Sequence, residues 1–195
     1  APLLHEMQND DGTARVCEDV WISYLSSNGE KLGRLTSGFG ADENKIGPEL
    51  TFGIYMQKSL NQPILIIKTA WGGNSLHTDF RSPSAGPYEF NEAQLEGFRK
   101  QNKDIEAVKA DRVKATGHYY RLTIDYVKKV LADINQVYPD YESDQGYELA
   151  GLVWFQGWND MFNKDALAEY EDNLVNLILD VRREWGDSLL PVVVG

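Results

Sequence analysis

An apolar run, Leu152-Val153-Trp154-Phe155, stops abruptly at Gln156-Gly157-Trp158-Asn159-Asp160. A second run, Ile64-Leu65-Ile66-Ile67, gives way in the same manner to Lys68-Thr69-Ala70-Trp71-Gly72-Gly73-Asn74-Ser75-Leu76. Open α/β sheets present chemistry this way: a buried strand ends at the crevice and the loop after it carries the functional groups. Each segment alone reads equally well as a strand running into a turn or an Asn-Asp helix cap. Two such ends, each closing in Trp, Gly and Asn, read as two walls of one site. The chemistry they could support is oxyanion binding. Asn159 can donate through its side-chain amide, and a backbone N–H at Gly72 or Gly73 can approach a ligand closely because glycine has no Cβ. Donors aimed at a developing oxyanion are what ester hydrolysis requires, and each is worth about 3 kcal/mol.

Other chemistries find less support. Cys17 is the only cysteine, so an internal disulfide and a cysteine-based zinc site are excluded. Neither H-E-x-x-H nor EF-hand spacing occurs, and no metal is expected. There is no P-loop, and no G-x-G-x-x-G follows a strand, so no nucleotide cofactor is expected either. Nucleophilic catalysis needs Ser or Cys, a His base and an orienting carboxylate. No serine lies in Gly-x-Ser-x-Gly. Ser75 reads as the cap of the next turn, His77 as a loop histidine, His118 as a helix histidine, and His5 as part of a polar tail.

The elements that must position the two loops follow from the apolar pattern. Asp19 to Leu25 alternates and reads as a half-buried strand; Gly33 to Ala41 reads as a glycine-rich loop. Pro48 and Glu49 suit the first turn of a helix over 48–60. After the strand 64–68 and a long loop (72–88) come a helical region over 104–137 with Gly117 as a break, a strand over 150–155, a helix over 165–185 and a strand over 190–194. Leu174, Leu177, Ile178, Val181 and Trp185 form the packing face of the last helix. Apolar strands joined by long helices predict a three-layer α/β/α sandwich with a mainly parallel sheet, flavodoxin-like, in a single domain.

With 195 residues, 42% hydrophobic and 25% charged, the chain suits one globular domain. A formal charge of −11 argues against nucleic acid and anionic membrane surfaces as partners. No apolar run approaches the roughly 20 residues needed to span a membrane. Ala1 to Asp10 has neither the basic start nor the apolar stretch of a signal peptide. A neutral ligand such as a sugar fits this balance better.

Three blocks together resemble a known family. Gly157-Trp158-Asn159-Asp160 matches the G-x-N-D block of SGNH hydrolases, and Trp154 to Asp160 resembles the W-x-Q-G block of their sialate O-acetylesterase-like branch (carbohydrate esterase family six and relatives). Lys68 to Leu76 looks like that branch's K-x-A-x-G-G-x-S-L block, and Ile46 to Gly53 resembles its G-P-E-x-x-F-G segment. The resemblance covers about residues 15–195 and implies removal of acyl groups, usually acetyl, from carbohydrates without metal or cofactor. By resemblance Asn159 is the oxyanion donor, Gly72 or Gly73 gives the backbone donor, with Gly73 taken as the donor and Gly72 beside it, and Gln156 lines the site as a second donor or a sugar contact; Trp158 and, from the long loop, Arg81 are also expected to line the substrate site. The family's N-terminal nucleophile block and C-terminal D-x-x-H block are not in these residues. The expectation is therefore an esterase domain cut at both ends, inactive by itself, acting on a carbohydrate ester in a secreted or periplasmic setting. The rival expectations are a non-catalytic carbohydrate-binding module and, more weakly, a flavodoxin-like scaffold without a ligand.

Overall fold

The computed structural model describes residues 3–195, so Ala1 and Pro2 of the irregular start lie outside the described residues. The chain divides into two compact units. One comprises Ala1–Trp71 with Tyr126–Gly146; the other comprises Gly72–Asp125 with Tyr147–Gly195.

The first unit begins with the short helix α1 (Leu4–Met7) and is built on a three-stranded sheet in the order β2-β1-β3. Strands β1 (Val20–Ser26) and β3 (Ile64–Thr69) run parallel, with Ile22 opposite Ile66. The two-residue period of β1 sorts its side chains onto two faces. Val20 and Ile22, with Ile64 and Ile66, pack against Leu50 and Ile54 of helix α2 (Pro48–Leu60) and against Leu35 and Phe39. Trp21, Leu25, Leu65 and Ile67 turn the other way, onto Tyr126, Val130 and Val137. Tyr126 and Val130 belong to helix α5 (His118–Ala132), so this sheet has a helix on each face. Gly53 sits in the middle of α2 because the helix lies tight on the sheet. A Cβ there would collide with Leu35 and meet Val20 at 3.0 Å.

Two polar groups are buried inside this packing, each with a partner. Ser23 bonds the Tyr126 hydroxyl at 2.5 Å, and burial pushes that phenol up to about 12. Glu49, in the first turn of α2, takes Lys68 Nζ at 2.8 Å, while the same ammonium donates to the Phe39 carbonyl at 2.5 Å.

The second unit holds the parallel pair β4 (Leu152–Trp154) and β5 (Val192–Val194). Helix α6 (Lys164–Trp185) joins them, opened by an Asn163 side chain that accepts from Asp165 N–H and Ala166 N–H and closed by Gly186 at φ +67°. Its buried face includes Leu177 and Val181 and also Asn173 and Asp180. The Asp180 carboxylate accepts Ser84 N–H at 2.7 Å and the Ser84 hydroxyl at 2.6 Å. Burial pushes this acid up, but the Ser84 hydrogen bonds and the Arg183 charge outweigh it and leave its pKa lowered. Helices α3 (Glu92–Lys100) and α4 (Ile105–Ala115) precede α5.

The fold is thus α/β of the expected type, but its strands form two sheets where one was expected, and it differs in further details. The first sheet is mixed and small. A hairpin strand β2 (Gly29–Arg34), not among the expected elements, lies antiparallel on β1 across the turn at Ser27-Asn28 and overlaps the expected loop (33–41) only at Gly33-Arg34. The Asn28-Gly29 dipeptide, with Gly29 at φ +95°, is the chemistry such a turn needs. The helical region over 104–137 breaks at Gly117 as expected: it is α4 and α5, split at Thr116-Gly117, with a short 3₁₀ turn at Ile134–Gln136. Gly117 adopts φ +69° and donates to the Thr78 carbonyl at 2.7 Å, which a continuing helix would forbid. Helix α3 has no counterpart among the expected elements. No helix among the described residues is long and apolar enough to cross a membrane.

Candidate active site

The loop after β3 enters the second unit at Gly72. Gly73 takes φ +81°, a conformation open to glycine and strained for other residues. Its N–H makes no hydrogen bond among the described residues. Ser75 then closes a tight turn: its hydroxyl lies 2.9 Å from both Asp79 Oδ2 and Thr78 Oγ1, and its N–H donates to Asp79 at 2.8 Å. The Ser75 hydroxyl is therefore part of a cap, as its sequence context suggests, and has no bond to His77.

The loop after β4 comes back to the same place. Asn159 Nδ2 lies 4.0 Å from where a Cβ on Gly73 would stand. Among the described residues the Asn159 side chain has no hydrogen-bond partner, and it does not cap the 3₁₀ turn that follows (Asp160–Phe162). An uncommitted amide donor thus stands close to the backbone of Gly73, whose N–H is also uncommitted.

Beneath them is a hydrogen-bonded layer that sequence reasoning did not find. Asp160 is 1% exposed, and its two oxygens accept Leu76 N–H and His77 N–H, each at 2.9 Å. Gln156 Nε2 donates to Asp160 at 2.7 Å and to the Asn74 carbonyl at 3.0 Å. Both amide hydrogens of Gln156 are thereby committed to the protein, so its donor role here is to join the two loops. Tyr170 of α6 holds the stretch from the other side. Its hydroxyl bonds the Gln156 carbonyl and accepts Trp154 Nε1–H at 3.2 Å.

The remaining expected residues are distributed around this centre. Gly72 is exposed next to Gly73. Trp158 is 72% exposed and meets Phe162 edge-on, with ring centroids 5.5 Å apart. Among the described residues Arg81 makes no hydrogen bond to Gly73 or Asn159. Its guanidinium donates to the carbonyls of His77, Ala85 and Gly86 and to Glu169. It lines a cleft of about 180 Å³ with His77, Tyr88, Glu89 and Glu169. His77 is buried, with Nδ1 3.3 Å from Glu169. Burial raises the Glu169 pKa, but the Arg81 hydrogen bond and charge, with His77 beside it, leave it lowered. His5 and His118 are exposed. Among the described residues no group of three His, Cys, Asp or Glu side chains could hold a metal ion.

The α/β fold with its two strand-end loops is of the SGNH hydrolase type. More narrowly, the chain belongs to a family of carbohydrate esterases, described as sialic acid-specific acetylesterase, whose profile matches residues 30–195. Among solved structures it resembles a protein from Arabidopsis thaliana, with a TM-score of 0.53 at 15% identity, over 89% of this chain and 55% of that one. It also resembles a carbohydrate acetylesterase from Xanthomonas citri, with a TM-score of 0.50 at 16% identity, over 97% of this chain and 38% of that one. The chain spans about half or less of the length of these structures. No curated protein sequence matches it.

Proposed function

We propose that this chain supplies the oxyanion-stabilising part of a carbohydrate esterase that removes O-acetyl groups from sugars by serine hydrolase chemistry. The carrying observation is the pair of uncommitted donors, Asn159 Nδ2 and Gly73 N–H, brought together on the loops after β4 and β3. In the reaction, a serine oxygen adds to the acetyl carbonyl and the carbonyl oxygen gains negative charge. Asn159 and Gly73 donate to that oxygen, and each such donor contributes about 3 kcal/mol to the transition state. The nucleophile and its base belong to segments outside residues 1–195. The exposed face of Trp158 offers the sugar an aromatic surface beside the donors.

The test has two arms. Purified residues 1–195 should hydrolyse 4-nitrophenyl acetate no faster than a surface variant of themselves, because donors without a positioned nucleophile and base have no oxyanion to stabilise. In the longer protein that carries the nucleophile, Asn159→Ala should lower kcat by about 10²-fold or more. Turnover by the short chain that disappears in Ser75→Ala or His77→Ala would place a catalytic pair inside these residues and overturn the assignment.

A further inference from the structure

The buried Asp160 carboxylate has no local task. The 3₁₀ turn it begins has no side-chain cap, and α6 is capped by Asn163. Its hydrogen bonds instead run 83 and 84 residues back along the chain, to two consecutive backbone N–H groups, with a third from Gln156. A carboxylate accepting from successive amides fixes both distance and rotation of the segment it holds, because each oxygen is committed to a different residue. The clamped points are Asn74, Leu76 and His77 on one loop and Gln156 and Asp160 on the other. Gly73 is one residue from the first set, and Asn159 is one residue from Asp160. Leu76, at 0% exposure, anchors the same loop from below.

We infer that Asp160 is a positioning residue: its carboxylate sets the spacing between the Gly73 N–H and the Asn159 amide, and Gln156 completes the clamp. This rests on the assignment of those two donors. Asp160 does not touch the substrate. Its contribution arises because an oxyanion site depends on donors held to within about 0.5 Å of the productive geometry. Replacement by Asn keeps the size but turns an N–H₂ group toward a backbone N–H, which loses one bond and opposes two donors.

The experiment is a double-mutant cycle on the longer, active protein with 4-nitrophenyl acetate. Asp160→Asn should lower kcat by about 10- to 100-fold while KM changes less than about threefold, since misplacement by 1 Å can cost about 10²-fold. The Asn159→Ala/Asp160→Asn double variant should be little slower than Asn159→Ala alone, because placing a missing donor has no value. Multiplicative effects would overturn the inference, as would a kcat unchanged by Asp160→Asn. A silent Asn159→Ala would instead sink the donor assignment itself. A readout without turnover uses ¹⁵N-labelled residues 1–195. There Asp160→Asn should move the Gly73 backbone and Asn159 side-chain amide resonances, and unmoved resonances at both refute the clamp. If Asp160→Asn does not fold, Gln156→Met removes the clamp's other half and should shift the same two resonances, and their staying in place is equally fatal.

Discussion

The first unit buries Val20, Ile22, Leu35 and Leu50 to 1% exposure or less, and its buried polar groups, Ser23 and Glu49, meet the side chains of Tyr126 and Lys68. In the second unit the deeply buried groups include Asp160, Ser82 and Asp180 alongside Leu76 and Leu190. There the carboxylates accept backbone N–H groups of loops, at Leu76, His77 and Ser84. Strands and helices satisfy their own backbones and need apolar contact to fix them. Loops do not, and a buried carboxylate both satisfies and locates them. Glu49 of the first unit also accepts a backbone N–H, from Gly47 at 3.0 Å, but only two residues away at its own helix start, whereas in the unit that carries the donors the carboxylates hold segments 83 to 96 residues distant.

The contrast can be broken from either side. Ile22→Ala removes a side chain at 0% exposure from the middle of the first unit's core and should cost about 2–5 kcal/mol. Urea unfolding followed by circular dichroism measures this, and a loss below about 1 kcal/mol would mean that apolar packing does not hold the first unit. Asp180→Asn should cost less, about 1–3 kcal/mol at neutral pH, by weakening the hold on Ser84. The pH dependence separates this from a packing effect. A lowered carboxyl pKa contributes stability that is present above the unfolded value, near pH 4, and is lost as pH falls through the folded one. The wild-type advantage over Asp180→Asn should therefore shrink steadily as pH is taken from about 5 downward. An advantage that stays constant across that range would show that the charge is not what holds Ser84. The smallest stability effect should come from Gly73→Ala, about 1 kcal/mol for an alanine at φ +81°. In the active protein the same change should still lower kcat more than 10-fold through the displaced N–H. A stability loss with undiminished kcat would remove Gly73 from the donor pair.

Much of the first unit was legible because its forces are periodic. Pro48 and Glu49 mark where α2 begins, and the apolar run Ile64–Ile67 marks β3. The face from Leu174 to Trp185 is equally plain in α6. Strand β2 escaped because Gly29-Glu30-Lys31-Leu32-Gly33-Arg34 has almost no apolar alternation, and only Asn28-Gly29 announced the turn. Helix α3 escaped as well: the sign it carries is a capping box, Asn91 with Gln94, which the apolar pattern does not reveal. At the site, residue type and loop position pointed to Gly73 and Asn159, which the structure places side by side. Asp160 was legible as the last residue of the G-x-N-D block, but what it holds was not: besides Gln156, its partners are backbone amides more than 80 residues away, and backbone amides carry no sequence identity.

The Lys68–Glu49 pair places a restriction on how relatives of this chain can diverge. Lys68 is bound to Glu49 and to the Phe39 carbonyl, and its ammonium lies 4.4 Å from the centre of the Tyr24 ring. Losing either charge alone strands the other in a buried setting, a step that typically costs about 3–5 kcal/mol, whereas exchanging both for apolar side chains is often neutral. A lineage therefore keeps both residues or replaces both, and chains holding only one should be rare unless Phe39 and its loop have changed as well. Positions 49 and 68, nineteen residues apart, are inherited as one character.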